Sequence, residues 1–132
     1  MRPTAMIPLG VFLVLSIGAA LVEYGQHSAL MRSTALSDVA QLCGALRTER
    51  ACPKTLAFPT RAAKDPWSRP YKCQATLSGL WLYTLGADAE PGGTRRDTDF
   101  ACQTLYSQPD ADGAEPCACF SGEEASARLR SL

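Results

Sequence analysis

The chain opens on an apolar run and then changes its period. From Pro3 to Val22 no residue is charged, and the centre, Val11-Phe12-Leu13-Val14-Leu15-Ser16-Ile17, is as apolar as a bilayer interior. A helix of this length rises about 30 Å, the thickness of a hydrocarbon core. Leu21, Tyr24, Ser28, Met31, Ala35, Val39, Leu42 and Leu46 then recur at steps of three and four, the spacing of one helix face. Glu23, Arg32, Asp38, Arg47 and Glu49 fall off that stripe, and no proline interrupts the chain between Pro8 and Pro53. The pattern predicts one continuous helix over residues 6–48, with its second half, beyond Ser28, packed on a small head.

Pro53, Pro59, Pro66 and Pro70 make residues 50–70 loop-like. Tyr71 to Leu77 alternates, Leu80 to Leu85 is apolar and aromatic, and Ser78-Gly79 between them predicts a hairpin in which Leu77 faces Leu80. That register puts Tyr71, Cys73, Ala75, Leu77, Leu80, Leu82 and Thr84 on the face turned to the helix. Lys72, Gln74, Thr76, Trp81, Tyr83 and Leu85 share the other face, which the following loop is expected to cover. Phe100 to Tyr106 predicts a further strand. Residues 107–132 show no core pattern apart from a short helix near Glu123 to Leu129, and predict a loosely packed extension fixed by cysteine.

Charge and cysteine then set the compartment. Thirteen basic and thirteen acidic side chains cancel, which removes the basic footprint of a nucleic-acid binder. The balance hides a basic first part and an acidic second part. Arg2 precedes the apolar run and Glu23 is the first charge after it, which sets the N-terminus inside and the body outside. A retained anchor and a cleavable secretory signal, with small residues at Gly18 and Ala20, both export the body; a buried core helix is the bland alternative. Tyr24 and His27 fall where the helix leaves the membrane and read as interfacial anchors. Six cysteines agree with an oxidising compartment and a disulfide framework, since there is no C-x-x-C pair for zinc and only one histidine. Sequence does not choose among the pairings. The expected pairing is Cys43 with Cys52 and Cys73 with Cys102, with Cys117 or Cys119 tying the tail to itself or elsewhere; Cys117-Ala118-Cys119 as a redox pair lacks any activating neighbour.

Asp88, Asp97 and Asp99 flank a glycine-rich excursion, Pro91-Gly92-Gly93, that can turn the chain back on itself. Converging carboxylates repel and suit a hard divalent cation such as calcium, although the spacing is not that of an EF-hand, and a solvated acidic turn is the plainer reading. The order Lys64-Asp65-Pro66-Trp67-Ser68-Arg69-Pro70-Tyr71, a hairpin, Leu82-Tyr83-Thr84-Leu85-Gly86-Ala87-Asp88, Gly92-Gly93 and Asp97-Thr98-Asp99 resembles the C-terminal domain of the type II secretion major pseudopilins. That family carries D-P-W-G-N-P-Y, Y-S-L-G-A-D, G-G and D-x-D in the same order, and the likeness covers residues 64–100. It implies a calcium-ordered loop with Asp88, Asp97 and Asp99 as side-chain ligands and the backbone carbonyls of Leu85 and Ala87 as further ligands. The sequence departs from the family pattern in several places. Gly10 is the best-placed processing glycine, yet the fifth residue after it is Leu15, not glutamate; Ser68 and Arg69 replace glycine and asparagine; Arg95 and Arg96 bring positive charge to the loop. The indole of Trp67 reads as a plug between helix and sheet.

The expected fold is therefore α+β and pilin-like: a long N-terminal helix, its first half embedded in the membrane, packed on a small antiparallel sheet. Residues 1–27 form the anchor or signal segment, 28–106 the head and 107–132 the cysteine-containing extension. The resemblance implies a non-enzymatic component of a type II secretion or type IV pilus-like system, held by one span in a bacterial inner membrane with a periplasmic, calcium-stabilised head. Its partners would be protein subunits of that assembly, copies of itself in a filament included, and no nucleic acid. The alternative is an exported, disulfide-stapled adaptor that no longer forms a filament. No nucleophile with a base, activated-water site or phosphate loop can be assembled from these residues, so no enzymatic activity is expected.

Overall fold

A computed structural model describes residues 9–105 and 117–132, with side chains from residue 17 onward. Helix α1 runs Leu9–Ala45, close to the expected limits and about 55 Å long by its rise per residue. Residues 6–8 and most of the apolar run's side chains lie outside the described residues, and among the described residues no helix is long and apolar enough to cross a membrane. The two ends of α1 differ sharply. Ala35, Asp38, Val39, Leu42 and Cys43 are buried, whereas Ile17, Leu21, Val22, Tyr24 and Leu30 are exposed.

Four strands follow: β1 Lys72–Ala75, β2 Leu80–Thr84, β3 Phe100–Thr104 and β4 Cys117–Ser121, antiparallel in the order β1-β2-β3-β4. A nine-residue helix, α2 Gly122–Arg130, closes the chain. The architecture is α+β, a long N-terminal helix on an antiparallel sheet with a short C-terminal helix.

The hairpin register needs one correction. Ala75, not Leu77, faces Leu80. Thr76 closes a four-residue turn by donating both its amide and its hydroxyl to the Gly79 carbonyl, at 2.9 and 2.8 Å, and Leu77 is left at the tip, fully exposed. The slip is two residues, so the side chains that remain in the strands keep their faces, while Leu77 leaves the helix-facing set. Leu80, Leu82 and Tyr71 are buried; Leu82 and Tyr71 join Phe100 and Cys102 against Ala35, Val39, Leu42 and Cys43 of α1, with Trp67 packed at the edge of that core as its plug.

The opposite face is covered differently from the expectation. Trp81 and Ala101 pack under Ala125 of α2, with Tyr83, Phe120 and Leu129 around them, and the Trp81 and Phe120 rings lie 5.9 Å apart. The end of the chain is therefore no loose extension over residues 117–132: it supplies an edge strand and the second layer of the sandwich. Its short helix was legible near Glu123 to Leu129, but β4 was not. Residues 107–116 of the expected extension lie outside the described residues.

All six cysteines are paired, in an order other than the expected one: Cys43–Cys117, Cys52–Cys73 and Cys102–Cys119. Strand pairing explains the correction. Cys102 and Cys119 are register partners on β3 and β4, which brings Cys117 alongside α1 and Cys43. Cys73, on the opposite edge strand, is then left to the 50–70 loop and Cys52. These bridges place the chain in an oxidising compartment.

Asp38 is a further correction, since it lies on the buried face of α1. The Arg61 guanidinium donates to one of its carboxylate oxygens at 2.6 Å and the Tyr71 hydroxyl to the other at 2.8 Å. A paired and hydrogen-bonded carboxylate tolerates burial that an unpaired one does not. The same arrangement pushes the Tyr71 phenol far above its ordinary range, through burial first and then its bond to Asp38.

Candidate cation site in the glycine-rich loop

The segment joining β2 to β3 folds back on itself as its glycines require. Gly86 has φ 65° and lies so close to the Asp97 backbone that a Cβ there would sit 2.5 Å from the Asp97 carbonyl carbon. Gly93, at φ 99°, would bring a Cβ to 2.7 Å from the Asp97 Cβ. Only residues without a side chain permit both approaches. The Ala87 amide then donates to the Arg96 carbonyl at 2.8 Å, and a short 3₁₀ turn, Arg95–Asp97, leads into β3.

Within this loop the predicted ligands fall into different settings. Asp99 is fully buried. Its Oδ2 accepts the Gly92 amide at 2.8 Å and the Ser126 hydroxyl of α2 at 2.7 Å, while its Oδ1 is buried without a hydrogen-bond partner among the described residues. Burial holds the Asp99 carboxyl above the usual carboxylate range and the charge of Asp88 adds to this; the bonds from Gly92 and Ser126 and the charge of Arg130 oppose it. Asp88 is exposed and accepts the Glu90 amide at 3.1 Å, closing a local Asx turn. Asp97 is half-buried at the end of the 3₁₀ turn, and Leu85 and Ala87 are half-buried at the loop's entrance.

Among the described residues the three aspartates do not come together as a cluster able to hold a metal ion. The donor set fits a cation at one atom: Asp99 Oδ1 is a buried carboxylate oxygen that accepts no hydrogen bond among the described residues, with Arg130 the one positive charge acting on the group. Asp88 is near enough to act on Asp99 by its charge, and Asp97 is not gathered with them. Arg95 and Arg96 are exposed, and neither is among the charges that act on Asp99.

Sequence reasoning missed the partners that hold the loop. Ser126 was one signal in plain view, a small hydroxyl residue beside Ala125 in a helix otherwise rich in Glu and Arg. Asp65 was another, hidden in a motif read mainly for its tryptophan. Its Oδ1 accepts the Trp67 and Arg69 amides at 3.0 and 2.9 Å, and its Oδ2 accepts the Thr84 hydroxyl at 2.6 Å. The Asp65-to-Tyr71 turn and the strand leading into the glycine-rich loop are thus joined through one buried carboxylate. Comparison of the chain with protein-family models, with curated proteins and with solved structures finds no match.

Proposed function

We propose that this chain is an exported, non-enzymatic assembly protein of the pseudopilin-like kind, anchored by the start of α1 and presenting a disulfide-stapled head. The observation that carries the reading is the bond between Thr84 and Asp65, because it unites the two segments on which the resemblance rests, 64–71 and 82–88. Ser68 lends further support: it takes φ 66°, the left-handed conformation that suits glycine, at the position where the family motif carries glycine. The exposed Ile17, Leu21 and Val22, continuous with the uncharged segment back to Pro3, support an apolar environment for the first part of α1. The inner membrane would supply it, with the head in the periplasm and the partners other protein subunits, copies of this chain among them.

Calcium belongs to the proposal as a structural ion. It would engage the free oxygen of Asp99, with Asp88, Asp97 and the carbonyls of Leu85 and Ala87 drawn in, and would add to the partial compensation that Gly92, Ser126 and Arg130 give this buried charge. The test is the melting temperature of the full chain with calcium and with chelator. A rise in calcium that Asp88→Ala removes is expected; superimposable curves would overturn the calcium assignment.

One observation favours a second reading. Gly92 and Ser126 already close the loop on Asp99 without an ion, as suits an exported binding module that has left the filament. The mature N-terminus of the chain after export in a bacterial host separates the readings: Met1 means a plain anchor, Val11 fibre-type processing and Leu21 a released module.

A further inference from the structure

A cleft of about 420 Å³ lies between α1 and the 3₁₀ turn, and Asp97 belongs to its lining. Tyr24, Ser28 and Arg32, successive positions on one helix face, form one wall, and Arg95, Arg96 and Asp97 form the other. Three guanidiniums against one carboxylate leave the cleft with an excess of two positive charges. Among the described residues none of the three arginines is in a salt bridge. Arg96 donates to the Tyr24 hydroxyl at 3.2 Å, which ties the loop to the helix and holds that guanidinium at the cleft. Three arginines lining one cleft with a single carboxylate and no salt bridge among the described residues match the planar, multiply bonded recognition of phosphate oxygens.

The position of the cleft along α1 narrows the source of the phosphate. Ile17, Leu21 and Val22 are exposed and apolar, and Tyr24 begins the cleft within one turn of Leu21 and Val22. From Val22 the helix rises roughly 3 Å to Tyr24, roughly 9 Å to Ser28 and roughly 15 Å to Arg32, so Tyr24 and Ser28 span a headgroup layer and the long Arg32 side chain stands at its upper edge. An aromatic hydroxyl and arginines at that level suit the membrane interface.

We propose that the Arg32, Arg95 and Arg96 cleft holds the phosphate of an anionic lipid headgroup in the leaflet from which α1 emerges, fixing the head's orientation on the membrane. The inference rests on the anchored reading above. It is tested with the full chain in nanodiscs of phosphatidylcholine alone and with phosphatidylglycerol added, following hydrogen exchange of the Thr94–Asp97 amides. Exchange roughly tenfold slower with phosphatidylglycerol is expected. The slowing should vanish in Arg32→Gln/Arg96→Gln and persist in Arg128→Gln, which changes an arginine on the opposite face of the sheet. Equal exchange in both discs overturns the cleft assignment while leaving the anchor intact. Equal slowing by inorganic phosphate in phosphatidylcholine discs assigns the cleft to free phosphate and overturns the lipid source. A chain that stays outside the discs overturns the anchored reading and this inference with it.

Discussion

Asp65 and Asp99 are both buried aspartates at the centre of a turn, yet they stand in opposite conditions. Asp65 has both oxygens occupied, by two backbone amides and a threonine hydroxyl, with the Arg69 Nε 3.7 Å away. Asp99 has two donors on one oxygen and none on the other. The first is a closed structural hub that needs nothing more. The second carries unspent acceptor capacity in a low-dielectric setting, so its stability must depend on protons or cations. A buried carboxylate is thus an element of the fold or a responsive site according to its last lone pairs.

The contrast breaks most forcefully at Asp65. Asp65→Ala strands two part-buried amides and the buried Thr84 hydroxyl, and is expected to cost about 4 kcal/mol, because each orphaned group costs about 1 to 3 kcal/mol. Urea denaturation measures this; a loss under about 1 kcal/mol would mean that the hub is not structural. Ser126→Ala removes one donor from Asp99 and leaves its charge less compensated. The expected loss is about 1 to 2 kcal/mol at neutral pH, less in acid where the carboxyl is protonated.

Asp99→Asn sharpens the comparison with the smallest effect, within about 1 kcal/mol at neutral pH, since the amide oxygen still accepts from Gly92 and Ser126 while the desolvated charge is gone. Its signature lies in the pH dependence without calcium. The folded carboxyl titrates above its unfolded value, so the folded state binds the proton more tightly. The stabilisation from that proton is complete below the ordinary carboxylate range and is lost as pH rises through the raised value. Wild type should therefore gain stability relative to Asp99→Asn as pH falls through that window. A constant difference across it, in paired denaturation curves, would mean that the Asp99 carboxyl is not perturbed.

How much of this the sequence disclosed follows the range of each interaction. The long helix was legible because its stripe repeats locally, and the hairpin faces survived a register error because an even slip preserves alternation. Asp38 was misread for the converse reason: its partners Arg61 and Tyr71 lie 23 and 33 residues away, and nothing near it announces them. β4 was missed because Cys117-Ala118-Cys119-Phe120 is too short to stand out, and becomes a strand only through β3. At the candidate site the glycines and aspartates were legible as a turned loop. The Asp99 partner Ser126, 27 residues on, was not, and it arrives only when α2 packs over Trp81.

The cysteine connectivity has a consequence for the chain's biogenesis. Numbered along the sequence, the first cysteine joins the fifth, the second the third and the fourth the sixth. A chain whose body emerges into an oxidising compartment in sequence order exposes Cys43 and Cys52 before any of their true partners. An oxidant acting on arrival would join those two, and the Cys43 bond to Cys117 could then form only after a thiolate reopened the error. Correct maturation therefore calls for an isomerase, or for oxidation slow enough that the sheet forms first and brings Cys117 and Cys119 to their places.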